Sequence, residues 1–213
     1  MDTCRCSTAR NSATGVHVAA HAVRHDRLVD ELKALAQPLI RPAEPADAEV
    51  VHRFIVELAE AEQFPGPVLA QPRDVAEALF GERPVAEAVV ATVDGEPVGF
   101  ALFYPTYSTI AGRPGIHLED LYVRPEHRGS GLGQALLGHL ADLAVRRGCA
   151  RLEWWVLRTN EPALRFYRRL HARGLDEIEV LRLDGEALRE LAAAQGDRAA
   201  DGVGGIRSGS GGQ

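Results

Sequence analysis

The chain has 213 residues, 46% of them hydrophobic and 25% charged, and a formal net charge of -6. Such a composition belongs to a globular chain long enough to bury one sizeable core. The acidic balance speaks against nucleic acid as a partner, and no apolar run approaches the roughly 18 residues that a membrane span needs.

Residues 1–36 hold little large apolar material and read as an N-terminal tail, disordered or partly helical. His17, His21 and His25 are four apart and would share one helix face. With Cys4 and Cys6 they form a candidate metal cluster, but no closed four-ligand spacing appears and no metal is expected. Histidines interrupt the only apolar run there, so it does not read as a signal peptide. Asp26 to Gln37 is a candidate short helix leading into the folded part. Three cysteines, Cys4, Cys6 and Cys149, make no disulfide framework and suit a reducing cytoplasm.

Leu39 to Arg41 begins the first strand. Pro45 and Asp47 open a helix whose apolar face is Val50, Val51, Phe54, Ile55 and Leu58. A second short helix follows near Asp74 to Phe80. Ala86 to Val93 and Pro97 to Tyr104 are strands joined at Asp94-Gly95, a hairpin turn signal. Gly115 to Val123 is the next strand. Gly131 to Arg147 is a helix with Leu132, Leu136, Leu140 and Ala144 on its buried stripe. Arg151 to Leu157 is a strand, and Glu161 to His171 a helix with Asn160 as its cap and Pro162 in its first turn. Ile178 to Leu183 reads as a last strand, followed by a short helix to Ala194. Gln195 to Gln213 is a Gly/Ser-rich tail expected to be disordered. The alternation makes 37–194 one α/β domain with a mixed sheet.

Within that domain, Leu118 to Gln134 (LEDLYVRPEHRGSGLGQ) runs strand, glycine-rich turn, helix. This order leaves free backbone N–H groups at a helix N-terminus, where an anionic phosphate binds well. Gly129 and Gly131 permit unusual backbone angles and close approach to a ligand, and Gly133 permits tight packing in the first helical turn. No Lys-Ser or Lys-Thr follows the glycines, which argues against a nucleotide triphosphatase. No acidic residue ends a second strand about 20 residues on, as a dinucleotide fold requires.

The remaining pattern, Arg128-x-x-Gly131-x-Gly133, resembles the acetyl-CoA pyrophosphate signature of the GNAT superfamily of N-acetyltransferases. Tyr107 to Arg113, Leu118 to Val123, Asn160 to Tyr167 and Gly185 to Leu191 resemble its spermidine/spermine (diamine) acetyltransferase branch, and most of all the thialysine-acetylating members. The likeness runs from about Ile40 to about Ala192. It implies a twisted mixed sheet, flanked by helices, that splays open to bind acetyl-CoA as acetyl donor. It also implies direct attack by a primary amine in a ternary complex, and a homodimer. The alternatives are acetylation of a peptide or protein amine, or a non-catalytic acyl-CoA-binding sensor, which needs no acid or base.

Acetyl transfer to an amine needs a neutral amine and a protonated leaving thiolate, and an alkyl amine is mostly protonated at neutral pH. Glu119 is the candidate base, a strand carboxylate between apolar neighbours. In the resembled family the glutamate at this place holds or deprotonates the amine. Asp120 points to the opposite face of an ideal strand, and only a bulge brings both to one site. Tyr167 is the candidate acid, because the family uses a tyrosine at this place of the Asn160-x-x-Ala163-x-x-Phe166-Tyr167 motif. The resemblance further implies that Leu121, Tyr122 and Val123 meet the pantetheine amides through their backbone, like an added strand, and that Asn160 and Ala163 border that arm. Arg128, Gly129, Ser130, Gly131, Leu132, Gly133 and Gln134 are to hold the pyrophosphate. Glu62, Glu153 and Glu179 match acceptor-groove positions and suit a cationic amine. Of Trp154 and Trp155, one is expected in the core and the other walling the acceptor site. Ala61 replaces an aromatic of the polyamine enzymes, Ser108 an acidic residue, as in thialysine-type members, and Ile110 a tryptophan. All three turn the reading away from polyamines. Leu170-His171 stands where a glycine is usual.

Overall fold

Two antiparallel hairpins build most of the sheet. The computed structural model describes residues 38–201, backbone only beyond 194. The histidines and cysteines of the N-terminal tail, the helix expected before Gln37 and the tail after Asp201 lie outside the described residues.

The strands are β1 (Leu39–Pro42), β2 (Glu87–Val93), β3 (Glu96–Ser108), β4 (Arg113–Val123) and β5 (Leu152–Trp154), adjacent in that order. The first four pair antiparallel and β5 joins β4 in parallel. The β2–β3 turn takes positive φ at both Asp94 (52°) and Gly95 (84°), the two-residue turn whose twist suits a hairpin. β3 and β4 run longer than the sequence alone suggests. β5 is shorter than the Arg151 to Leu157 expected, because only Ile116, His117 and Leu118 of β4 offer it a ladder.

A 3-10 turn at Pro45–Asp47 leads into α1 (Ala48–Ala61), and α2 (Pro72–Phe80) follows. Arg41 grips Asp47 with two hydrogen bonds, Nη1 to Oδ2 at 2.6 Å and Nη2 to Oδ1 at 2.9 Å, and the Glu44 N–H donates to the same carboxylate. The clamp ties β1 to the start of α1. The Arg41 hydrogen bonds hold the Asp47 carboxyl below its ordinary range. One core forms where Val51 and Phe54 of α1 and Val75 and Leu79 of α2 meet Ala88, Val90, Phe100 and Tyr122. Phe54 stacks on Phe100 at 5.8 Å and tilts against Tyr122 at 5.6 Å. These sheet residues share one face by strand alternation. The helix α3 (Leu132–Arg146) packs on β4 and its neighbours and buries Leu132, Leu136, Leu137, Leu140 and Ala144, the stripe expected from its spacing plus Leu137.

The chain divides into two compact units, Met1–Asn160 and Glu161–Gln213. The second holds α4 (Glu161–Arg169) and α5 (Gly185–Asp201). His171, where a glycine is usual, takes the left-handed φ of 61° just past α4. Two expectations are corrected here. Ile178 to Leu183 forms no strand. Its apolar residues Ile178, Val180, Leu181 and Leu183 are exposed, and a strand exists only where a neighbour takes its hydrogen bonds. The last helix also runs past Ala194 to Asp201, so the stretch just after Gln195 is helical rather than an irregular tail.

Candidate active site

β5 accompanies β4 only as far as Leu118, opposite Trp154. Beyond that point the stretch Glu119–Val123 is paired on one side only, to β3, among the described residues. The sheet therefore opens beside Glu119, and Leu121 to Val123 lie on the unpaired edge, the kind of edge to which an extended amide-bearing segment can add.

The register of β3 and β4 slips at this place. Leu102 pairs with Asp120, and Phe103 with Leu118, so Glu119 is the extra residue of a β-bulge. Leu118 and Asp120 would share a face on a regular strand. With the bulge Leu118 is buried, whereas Asp120 lies across from Leu102 on the face that α1 covers. Asp120 is close enough to Glu119 and Glu62 that both repel its negative charge. Burial first, then Glu119 and Glu62, push its carboxyl up from 3.8 to about 6. The bulge left open from sequence is present, and it gathers Glu119 and Asp120 on one site with Glu62. Glu62 caps the end of α1 and accepts a 3.1 Å hydrogen bond from the Asn160 side-chain amide.

An aromatic and imidazole layer lies beside these carboxylates. His117 is buried and stacks on Tyr104 at 5.0 Å, with Trp155 edge-on at 4.9 Å. His117 Nε2 sits 3.8 Å from Glu119 Oε2. Burial raises the Tyr104 phenol above its ordinary range, followed by the negative Glu119, a hydrogen bond to that carboxylate, and Glu153. Glu153 pairs with Arg151 at 2.9 Å. Trp154 is half-buried on β5 and Trp155 is exposed, its ring against His117, so neither is the core residue expected of this pair. Sequence reasoning missed Tyr104 and His117. His117 stands two before Glu119, so strand alternation could have found it. Tyr104 becomes visible only through the register that sets it opposite His117.

The turn between β4 and α3 has the form a phosphate cradle needs. Gly129 and Gly131 take φ of 77° and 91°, and a Cβ built on either meets nothing within 4 Å. The backbone angle, and not crowding by protein, demands glycine there. The first intrahelical donor is Ala135, bonding to the Gly131 carbonyl. Leu132, Gly133 and Gln134 thus point their N–H groups out of the helix start, at the positive end of its dipole. Ser130 donates to the His127 carbonyl at 2.7 Å, and Arg128 Nε to the Val123 carbonyl at 2.8 Å with its guanidinium over the Tyr122 ring. Arg124, Arg146 and Arg147 pair with Glu57, Asp142 and Glu87.

In the second unit, Tyr167 and Ala163 are half-buried on α4, with the Tyr167 ring 5.1 Å from that of Phe166. Glu179 is exposed on the irregular segment between α4 and α5.

A family model, the acetyltransferase (GNAT) family, matches residues 54–172. The chain belongs to that family, whose members use acetyl-CoA as donor, and it is an N-acetyltransferase. The thialysine N-epsilon-acetyltransferase of Sus scrofa is 40% identical over 169 residues, covering 74% of this chain and 99% of its own. The L-ornithine N5-acetyltransferase of Arabidopsis thaliana is 26% identical, covering 71% and 86%. Among solved structures, an integron cassette protein from the mobile metagenome of V. cholerae superposes with a TM-score of 0.62 at 28% identity, over 73% of this chain and 97% of that one. The match crosses Asn160, as one α/β domain of this family does. Among the described residues no helix is long and apolar enough to cross a membrane.

Two outcomes follow from this geometry. Gly131→Ala forces a left-handed alanine, costing about 1 kcal/mol of stability, and places a methyl group in the cradle. Calorimetric titration should show acetyl-CoA binding weakened at least about tenfold, while unchanged affinity would make the turn a mere connector. The folded protein holds the Asp120 proton more tightly than the unfolded chain. That carboxyl therefore lends stability fully present below about pH 3.8 and lost as pH rises through about 6. Asp120→Asn should stabilise the fold by about 2 kcal/mol at pH 7, allowing for part exposure, and by nothing near pH 4. Urea unfolding at the two pH values reads the difference, and equal stability at both would remove Asp120 from the cluster.

Proposed function

We propose that the acceptor is the primary amine of a small cationic molecule, such as thialysine, a lysine-like amino acid or a diamine. The observation that carries this is the convergence of Glu62, Glu119 and Asp120 at the open side of β4. Three carboxylates in one place raise the local concentration of cations and bind an ammonium group well. The relatives that acetylate thialysine and ornithine support the same class.

Acetyl-CoA, when bound, supplies the acetyl group as a thioester. The N–H groups from Gly129 to Gln134 are placed to bind its pyrophosphate, and the open edge of Leu121–Val123 its pantetheine arm. Glu119, at the bulge, takes the proton from the substrate ammonium and leaves a neutral amine to attack directly, without an acyl-enzyme. Asp120 and Glu62 hold the cationic substrate against it. The Tyr167 hydroxyl gives its proton to the departing sulfur, a role supported by the Asn160-x-x-Ala163-x-x-Phe166-Tyr167 motif. Glu153 on β5 and Trp155 just after it border the acceptor, and the family resemblance of its position assigns Glu179 to the same role. The odd, unframed cysteines fit a cytoplasmic enzyme.

We further propose a homodimer. The exposed apolar residues Ile178, Val180, Leu181 and Leu183, in a segment that pairs with no strand among the described residues, support it. Sedimentation at micromolar concentration should give twice the chain mass, and Val180→Lys with Leu181→Lys should halve it. A monomer in both cases rejects the dimer.

Thiol release from acetyl-CoA tests the reaction. Across thialysine, lysine, ornithine, diamines, spermidine and short peptides, small cationic amines should turn over best. Glu119→Gln and Tyr167→Phe should each lower kcat by about 100-fold. Turnover with peptides alone would shift the assignment to a protein amine, and binding without any turnover to a sensor.

A further inference from the structure

His117 has no part in the roles assigned so far, yet it is among the most buried polar side chains described, with 6% of its side chain exposed. Its Nε2 is enclosed and makes no hydrogen bond. An enclosed polar nitrogen without a partner is costly, so such a group persists where another state of the protein satisfies it. The Glu119 Oε2 acceptor lies 3.8 Å away, just outside hydrogen-bond range. Closing the gap takes a shift of under about 1 Å.

The ring is held for such a contact. Tyr104 covers one face of the imidazole and Trp155 abuts it edge-on. Around it lie Tyr104 from β3, Glu119 from β4 and Glu153, its register partner on β5. Glu153 is paired with Arg151. A lone pair turned toward the Glu119 carboxylate would face another, so the favourable arrangement sets an Nε2–H toward it.

We propose that His117 is a positioning residue for acetyl transfer: its Nε2–H closes on Glu119 Oε2 in the substrate complex and holds that carboxylate aimed at the amine. The proposal rests on the reading of Glu119 as the base. Loss of this donor leaves the carboxylate free to turn away, which slows the chemical step and leaves acetyl-CoA binding untouched.

The test compares His117→Phe, which keeps the ring stack and removes the nitrogen, with His117→Gln, whose side-chain amide can put an N–H near the same place. Both are measured for acetyl-CoA binding, melting temperature, and kcat and KM with the best amine of the panel. His117→Phe should bind acetyl-CoA as the unaltered protein does and lose about tenfold in kcat. His117→Gln should recover part of that loss. In the background of Glu119→Gln, His117→Phe should cost little more, because the effect passes through Glu119. Equal losses in the Phe and Gln variants, or a full additional loss in the double variant, would each overturn the proposal and leave His117 a packing residue. If Glu119→Gln by itself retains full activity, the reading of Glu119 as base fails first, and the proposal falls with it for that separate reason.

Discussion

The bulge at Glu119 is the constraint on which the site depends. A regular β4 would send Glu119 and Asp120 to opposite faces of the sheet. The extra residue breaks the alternation between Leu118 and Asp120, so that Leu118 is buried while Asp120 turns toward the end of α1. The same bulge lies where β5 parts from β4, and the gap in the sheet thus opens beside the residues that the slip has gathered. The carboxylate cluster and the opening between β4 and β5 thus fall at the same place in the sheet.

Gathering carboxylates opposes folding. Asp120 shows the strain directly, since burial and two like charges lift its carboxyl to about 6. Polar contacts relieve the rest: the Asn160 amide reaches Glu62 and Arg151 takes Glu153. The remaining negative charge is the feature on which the proposed cationic acceptor rests. Far from the site the opposite arrangement holds. Arg41 and Asp47 sit in mutual contact with matched geometry, and the carboxyl there is stabilised as the anion. The contrast separates a carboxylate used as a clamp from those assembled for binding.

The cradle and the core are linked through β4. Tyr122 buries its ring against Phe54 and under the Arg128 guanidinium, while its neighbours on the strand lie on the unpaired edge. Arg128 in turn bonds back to the Val123 carbonyl. The glycine-rich turn is therefore braced by the same strand that carries Glu119, the candidate base, and α3 anchors it from behind through Leu132, Leu136 and Leu140.

Local patterns were legible because they act over short range. The Asp94-Gly95 hairpin, the buried stripe of α3, the glycines with left-handed angles and the family motifs all follow from neighbouring residues, and the family assignment follows from the motifs. Other features depend on contacts between distant segments. Ile178 to Leu183 has a strand's alternation but no strand, because periodicity does not supply a partner for its hydrogen bonds. The length of β5 was set by how much of β4 was free to pair. Tyr104 and His117 are unremarkable in sequence, thirteen positions apart, and become neighbours only through the β3–β4 register. The sequence by itself determined the α/β class and the family, because local patterns and short motifs carry both. Tertiary structure alone decided that Asp120 and Glu62 lie near Glu119, since a register slip and the end of a helix 57 residues upstream of Glu119 must coincide in space, and no local preference encodes that meeting.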